Sequence, residues 1–267
     1  MKYKLLCSDL DGTLLSTKSD VSDFAVTQIH RIKNETRVVL VSARMPSGMR
    51  YLQQRLGIEN QPMVCYNGAL VLDQDKVVIS IFIPLKVVRK IFLICKPYHA
   101  DIGVYVHDQW LVSNASERVD KEIKYTRSTP SYMPASMILH YLGKENLGAH
   151  KLMVMGTKES ADALMPVLEE KFGGLVHLYQ SNNTLIEIAP KSVSKLTAIE
   201  KLLKDDERMT DVVAFGDNYN DIEMLQKAGL GVAVGNAREE VKAIADKVIQ
   251  DNVEDGVAHF IEKYITT

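Results

Sequence analysis

Apolar and polar residues alternate along this chain in two patterns, which predict strands and helices in turn at both ends. Continuous apolar runs such as "RVVLVS" and "DVVAFG" are typical of strands buried on both faces of a parallel sheet. Segments such as "SDFAVTQIHRIKNE" and "SVSKLTAIEKLLKD" carry apolar residues at helical spacing. This alternation predicts an α/β fold with a doubly wound parallel sheet and helices on both of its faces.

The first and last thirds of the chain contain further elements of the same kind. Ser22 is predicted to cap the first helix, and the second helix is predicted to run from a cap at Ser47 to Gly57. Further strands are predicted at "YKLLCS", "PMVCYNG", "LGVAVG" and "KVIQ". Further helices are predicted at "DIEMLQKAG", "REEVKAIAD" and "GVAHFIEKYI".

The middle of the chain differs, because its strands are amphipathic and pair as hairpins. "DIGVYVHDQWLVSN" and "LVHLYQSNNTLIEIAP" each predict two antiparallel strands around a polar turn. Helices are predicted at "PLKVVRKIFLICKPY" and "SADALMPVLEEKF", where Pro166 must either kink the second helix or mark its start.

This contrast predicts two domains in a chain of 267 residues, which is long enough for a core and an inserted module. We expect the α/β core at residues 1–83 and 188–267, and an α+β module at residues 84–187. Pro84 and Pro190 lie near the two crossings and are suited to stiff hinges.

Composition narrows the class of partner. Hydrophobic residues make up 46% of the chain and charged residues 25%, and the net charge is −2. This balance is that of an ordinary globular protein and gives no basic footprint for nucleic acid or for an anionic membrane. Any anionic ligand must therefore be attracted by a few well-placed cations.

The three cysteines and the amino terminus indicate the compartment. Cys7, Cys65 and Cys95 show no CxxC spacing, which argues against a disulfide framework or a zinc site. The apolar run after "MKYK" is too short for a signal peptide, and no segment reaches the ~18 apolar residues of a membrane span. We expect a cytoplasmic protein that is a monomer or a weak homodimer.

Residues whose side chains can take part in catalysis or ligand binding follow several of the predicted strands. Asp9 and Asp11 stand two apart at the carboxyl end of the first strand, so both can face one point. The carboxyl ends of parallel strands form the edge at which ligands bind in open α/β sheets. The groups predicted to meet there are Asp9, Asp11, Ser42, Arg44, Lys195, Asp217 and Asp221. Clustered carboxylates beside an anion-binding turn suit Mg²⁺ and a phosphoryl group.

The segments "DLDGT", "VSAR" and "GDNYND", with Lys195 between the last two, resemble motifs one to four of the haloacid dehalogenase (HAD) superfamily. The long insert resembles the type IIB cap of its Cof-like sugar-phosphate phosphatases. The resemblance covers essentially the whole chain. It implies a Rossmann-like HAD core with an α+β cap, and an Mg²⁺-dependent phosphatase that acts on a small phosphorylated metabolite.

The resemblance also implies residue roles. Asp9 resembles the nucleophile that forms an aspartyl-phosphate, and Asp11 the general acid and base. The implied metal ligands are Asp9, Asp11 and Asp217. The implied phosphate contacts are Leu10, Ser42, Ala43, Lys195 and Asn220. Asp221 is implied to support this site. Ala43 replaces the family's usual glycine and would crowd the turn if that turn needed a positive φ.

Several interpretations remain open from the sequence. Arg44 is either a structural ion-pair partner or a substrate contact, and Asn67 is either a turn residue or a substrate contact. A phosphomutase of the phosphomannomutase type is an alternative function, although the insert lacks a cluster of arginines, which favours hydrolysis. A relative that binds a phosphorylated ligand without turnover is a third possibility. The sequence does not identify the substrate.

Overall fold

The computed structural model describes residues 3–74 and 76–265, which form two compact units. One unit comprises the chain up to Ile79 together with the chain from Ser194 onward. The other comprises Ser80–Val193. The domain limits predicted at residues 83/84 and 187/188 stay a prediction.

The described residues of both units form strands β1 to β14 and helices α1 to α10 in chain order. The strands are β1 Leu5–Ser8, β2 Arg37–Val41, β3 Met63–Cys65, β4 Leu70–Asp73, β5 Lys76–Ser80, β6 Asp101–Val106, β7 Gln109–Val112, β8 Ser131–Tyr132, β9 Lys151–Met155, β10 Val176–Asn182, β11 Leu185–Pro190, β12 Val212–Gly216, β13 Leu230–Ala233 and β14 Lys247–Val248. The helices are α1 Asp23–Ile32, α2 Ser47–Leu56, α3 Leu85–Cys95, α4 Glu117–Thr126, α5 Ala135–Lys144, α6 Lys158–Phe172, α7 Lys195–Leu202, α8 Ile222–Lys227, α9 Glu239–Ile244 and α10 Gly256–Tyr264.

A large sheet with the strand order β14-β13-β12-β1-β2-β3-β4-β5 forms the centre of the first unit. The pairs from β14 through β1 to β3 are parallel, whereas β3 and β4 are antiparallel. The strand β1 lies between β12 and β2, and its side chains are buried. A ligand bound at the carboxyl end of β1 would therefore lie at the middle of the sheet edge, where open α/β sheets bind their ligands.

The predicted α/β architecture is confirmed, and the differences in detail have local reasons. Ser22 caps α1 as predicted, because its hydroxyl accepts from the Ala25 N–H. Ser47 does not cap α2 but is its first residue, since Pro46 already has helical φ and ψ. Pro166 lies inside α6, which begins at Lys158, so the alternative that this proline marks the helix start is wrong.

The second unit is an α+β module. Its sheet has the order β10-β11-β9-β6-β7-β8, and the hairpins β6–β7 and β10–β11 are antiparallel as predicted. Helices α3, α5 and α6 pack one face of this sheet with an apolar core that includes Val88, Leu142 and Leu164. No helix in the described part of the chain is both long and apolar enough to cross a membrane.

Candidate active site

Asp9 is the first residue after β1 and lies at the centre of the sheet edge. Its N–H donates to the Phe215 carbonyl at 3.0 Å, which continues the pairing of β1 with β12. Its side chain is buried, with 8% of the side-chain surface exposed. Since an isolated buried carboxylate is costly, a cation must accompany it.

Lys195 supplies that cation. Its Nζ lies 2.6 Å from Oδ1 of Asp9 and 2.6 Å from Oδ1 of Asp221, and its side chain is fully buried. Lys195 is the first residue of α7. The capping box between Ser194 and Thr197 fixes the residue at which this helix begins. The start of this helix therefore determines where the ammonium is placed.

Asp221 organises the turn that follows β12. Its Oδ2 accepts from the N–H groups of Asp217 and Asn218, each at 3.0 Å, while Lys195 contacts its other oxygen. Asp217 in turn accepts from the Thr13 hydroxyl at 3.2 Å. Both oxygens of Asp221 are thus engaged within the protein, and its supporting role at the site stays a prediction.

The environment changes the proton affinity of these groups. Burial raises the pKa of Asp9 well above its ordinary value; the Lys195 charge opposes that effect, whereas Asp221 and Asp217 add to it. Burial, together with Asp221, raises the pKa of Asp217 to about 6. Burial disfavours the charge on Lys195, yet Asp221 and Asp9 raise its pKa above the ordinary value. One buried ammonium does not neutralise three carboxylates.

This excess of negative charge fits a divalent cation. One oxygen from each of Asp9, Asp217 and Asp221 lies within 4.8 Å of the others. Among the described residues, no hydrogen-bond donor contacts Oδ2 of Asp9 or Oδ2 of Asp217. Carboxylate oxygens are the ligands preferred by hard cations such as Mg²⁺. Asp9 and Asp217 are therefore the residues best placed to hold one.

Asp11 lies outside this acidic group, and Arg44 binds it. Arg44 donates from Nε to Oδ2 of Asp11 at 2.8 Å and from Nη2 to Oδ1 at 2.6 Å. The other Arg44 donors contact the carbonyls of Lys18 and Gly48 and the hydroxyl of Tyr51. All five N–H groups of this buried guanidinium have acceptors. Burial acts to lower the pKa of Arg44, but the hydrogen bonds and charge of Asp11 outweigh burial and leave that pKa raised. In this geometry Arg44 is an ion-pair partner of Asp11.

The remaining predicted residues lie around the same edge. The Ser42 hydroxyl accepts from the Arg44 N–H at 3.2 Å, and the Ser42 carbonyl accepts from the Asn67 N–H at 2.9 Å. Asn67 also accepts from the Asn220 amide at 3.0 Å, which joins the turns after β3 and β12. The side chain of Leu10 is buried, and its carbonyl accepts from the Leu15 N–H.

Ala43 does not adopt a positive φ, so the turn after β2 accommodates its Cβ without backbone strain. The concern raised by the missing glycine therefore has no basis in this geometry. Positive φ occurs instead at Gly12, where it is 88°. A Cβ at Gly12 would lie 2.6 Å from Oδ2 of Asp217.

Two asparagines that sequence reasoning missed also contact the edge. Asn236 follows β13 and donates to the Gly12 carbonyl at 2.8 Å. Asn252 follows β14 and donates to the Leu15 carbonyl at 2.7 Å. Their positions after strands of the same sheet were a usable signal, but a single asparagine after a strand is common in turns.

Comparison with known proteins agrees with this geometry. The family model of the haloacid dehalogenase-like hydrolases matches residues 6–261. The chain is 28% identical over 288 residues to the 5-amino-6-(5-phospho-D-ribitylamino)uracil phosphatase YitU of Bacillus subtilis, covering 99% of this chain and 98% of that protein. It is 26% identical over 274 residues to the pyridoxal phosphate phosphatase YbhA of Escherichia coli, covering 99% of this chain and all of that one, 100%.

Solved structures show the same fold. A haloacid dehalogenase-like hydrolase from Bacteroides thetaiotaomicron superposes with a TM-score of 0.89 at 28% identity. The match covers 98% of this chain and 99% of that one, so it includes both units. The family model and the solved structure thus agree on one family over nearly the whole length.

Proposed function

Because this chain belongs to the haloacid dehalogenase-like hydrolases, we propose that it is an Mg²⁺-dependent phosphatase that hydrolyses a phosphate monoester of a small metabolite. The observation that carries the proposal is Asp9, a buried carboxylate after the central strand, which lies against Lys195 beside Asp217. The two named relatives are phosphatases of small phosphorylated molecules, which supports the same class of substrate.

In the first step, a carboxylate oxygen of Asp9 attacks phosphorus, and the bond from phosphorus to the leaving oxygen breaks. Asp11 gives its proton to that oxygen, so the alcohol leaves neutral. The Asp9 carboxylate needs its negative charge for the attack. The contact with Lys195 at 2.6 Å favours that charge against burial.

In the second step, water attacks the phosphorus of the aspartyl-phosphate, and Asp11 takes a proton from the water. The phosphorus–oxygen bond to Asp9 breaks, which releases inorganic phosphate and restores the carboxylate. Arg44 donates one hydrogen bond to each Asp11 oxygen in the present geometry. Each oxygen keeps a second lone pair for the proton that passes to the leaving group or from water. Arg44 therefore acts on the reaction through Asp11, whose carboxyl it orients.

Cations and neutral hydrogen-bond donors surround the place of the transferring group. Lys195 is the fixed cation, and the Ser42 hydroxyl, which only accepts among the described contacts, is available to donate to a phosphoryl oxygen. Asn220 lies beside this edge through its contact with Asn67. A magnesium ion held by Asp9 and Asp217 would neutralise the phosphoryl charge further.

The decisive experiment is a phosphate-release assay with p-nitrophenyl phosphate and Mg²⁺, followed by a panel of sugar phosphates and other phosphometabolites. We expect inorganic phosphate from the wild-type protein and none above background from Asp9→Asn. Conversion of a sugar phosphate to its isomer without phosphate release would assign a phosphomutase. Ligand binding without turnover in the whole panel would assign a binding protein.

The second unit, an α+β module, is proposed to determine which substrates are accepted, because the core residues described above bind phosphate and metal. The domain limits at residues 83/84 and 187/188, a cytoplasmic location and a monomeric or weakly dimeric state are proposed as well.

A further inference from the structure

Two asparagines hold the turn that carries Asp11. Asn236 donates from Nδ2 to the Gly12 carbonyl at 2.8 Å, directly after Asp11. Asn252 donates from Nδ2 to the Leu15 carbonyl at 2.7 Å, at the far end of the turn. The two are linked, because the Asn252 N–H donates to Oδ1 of Asn236 at 2.8 Å.

Backbone chemistry fixes the orientation of both amides. A backbone N–H can only donate, so the Asn236 atom that faces the Asn252 N–H must be its oxygen. Its NH₂ group then faces the Gly12 carbonyl, which can only accept. The same logic places the NH₂ group of Asn252 on the Leu15 carbonyl. The three hydrogen bonds form one consistent network that connects the segments after β13, β14 and β1.

The turn between Asp9 and Leu15 is a single irregular π-helical turn over Leu10–Leu14, in which Asp11 has non-helical φ and ψ and Gly12 has a φ of 88°. At its end the Leu15 N–H donates to the Leu10 carbonyl. In the chain, Gly12 comes before Thr13 and Leu15 comes after it, and the Thr13 hydroxyl contacts Asp217. Their two partners therefore restrain the turn from both ends.

We propose that Asn236 and Asn252 are positioning residues that hold the Asp11 turn in register with Asp9. The proposal rests on the proposed function, in which Asp11 protonates the leaving oxygen. The catalytic effect of such restraint is sensitive to small displacements, because a shift of ~1 Å costs up to about a hundredfold in rate. Asn236 itself is exposed, so losing its bonds should weaken the fold far less than the chemistry.

The test compares two leaving groups in the variants Asn236→Ala and Asn252→Ala. p-Nitrophenolate leaves without a proton, whereas the alkoxide of a sugar phosphate needs one, so in the first step only the sugar phosphate depends strongly on Asp11. The second step is common to both substrates, so the comparison uses kcat/KM, which reports the first step. We expect kcat/KM for the best sugar phosphate of the panel to fall at least about tenfold more than kcat/KM for p-nitrophenyl phosphate. The control is Asn60→Ala, an exposed asparagine of the same unit, which should leave both rates unchanged.

Equal losses on both substrates, or no loss on either, would overturn the positioning role. A second measurement is independent of turnover. Hydrogen exchange of the Leu15 amide should accelerate in Asn236→Ala and Asn252→Ala, while the amides of β12 keep their protection. If the wild-type protein hydrolyses neither substrate, the proposed function fails, and unchanged Leu15 exchange would still reject the restraint.

Discussion

The Nζ of Lys195 lies 2.6 Å from Oδ1 of Asp9, although the two residues are 186 positions apart in the chain. Asp9 follows the central strand, and Lys195 begins a helix that comes after the inserted unit in the chain. The same ammonium contacts Asp221, so a single buried cation joins two buried carboxylates. Stability and chemistry at this site therefore depend on the same side chain.

Lys195→Met should destabilise the protein strongly. The substitution leaves Asp9 and Asp221 buried without their cation, and breaking a buried ion pair in this way typically costs about 3–5 kcal/mol. Urea unfolding in EDTA measures the free energy of unfolding without help from a metal. The control is Lys201→Met in the same helix, where the lysine is exposed. Adding Asp221→Asn to Lys195→Met should restore part of the loss, and a further loss would contradict the charge argument.

Asp9→Asn should abolish turnover and leave the fold intact. The amide cannot attack phosphorus as a carboxylate does, and Lys195 keeps Asp221 as a partner, so no buried charge is left unpaired. We expect kcat on p-nitrophenyl phosphate to fall by more than about a hundredfold, which corresponds to ~2.7 kcal/mol of barrier. The melting temperature should hold or rise. Residual kcat above a hundredth of the wild-type value would remove Asp9 from the nucleophile role.

Activity should disappear in EDTA and return with Mg²⁺, because three carboxylates outnumber the single lysine that faces them. Asp217→Asn should raise the Mg²⁺ concentration needed for half-maximal activity by about tenfold or more, since it removes a charged ligand. Asp206→Asn, on an exposed ion pair, serves as the control. Ca²⁺ should inhibit, because it prefers more ligands and longer bonds than Mg²⁺. Full activity of metal-free enzyme would contradict this assignment.

Sequence patterns predicted the sheet and most of the candidate site, because strand ends and helix starts can be recognised from local patterns. Asp9, Asp217 and Lys195 each stand at a strand end or a helix start, and the parallel sheet brings these ends together. The Arg44–Asp11 pair remained open, since either a carboxylate or a substrate satisfies a guanidinium. The choice depends on how side chains pack around Arg44, where Tyr51 and two carbonyls complete its donors.

Asn236 and Asn252 escaped prediction for a different reason. Their partners are backbone carbonyls of Gly12 and Leu15, more than two hundred positions away, and a carbonyl leaves no trace in the sequence. The same applies to the backbone at Ala43, where a missing glycine suggested crowding that the observed φ removes. Hydrogen bonds to backbone carbonyls and the backbone conformation itself thus limit what the sequence predicts at this site.

Gly12→Ala should impair both stability and activity. Alanine at a φ of 88° is strained, and its Cβ would lie 2.6 Å from Oδ2 of Asp217, one of the two proposed metal ligands. We expect a loss of about 1–3 kcal/mol in the free energy of unfolding and a higher Mg²⁺ requirement. Gly174→Ala is the matched control, because no atom lies within 4 Å of its added Cβ. An unchanged Mg²⁺ requirement in Gly12→Ala would show that the Asp217 side chain can move aside freely.

His150 in the second unit is held in its neutral form. Its Nδ1 accepts from the His107 N–H at 3.0 Å, so the ring proton is on Nε2, which faces the Ser80 hydroxyl at 3.0 Å. Burial and the neighbouring His107 lower the pKa of His150 to about 3. A second ring proton would have to displace the His107 N–H from Nδ1.

The free energy of unfolding should therefore fall as the pH falls from about 6.5 towards 3. Over this window the unfolded chain binds a proton on His150 that the folded chain does not bind, so acid favours the unfolded chain. The expected contribution is on the order of 2 kcal/mol between pH 7 and pH 5. Urea unfolding at both pH values measures it, with His150→Asn for comparison, which keeps an acceptor for the His107 N–H and cannot be protonated. The variant should be less stable at pH 7 but should lose less stability on acidification. An equal loss in both proteins would assign the acid sensitivity to other groups.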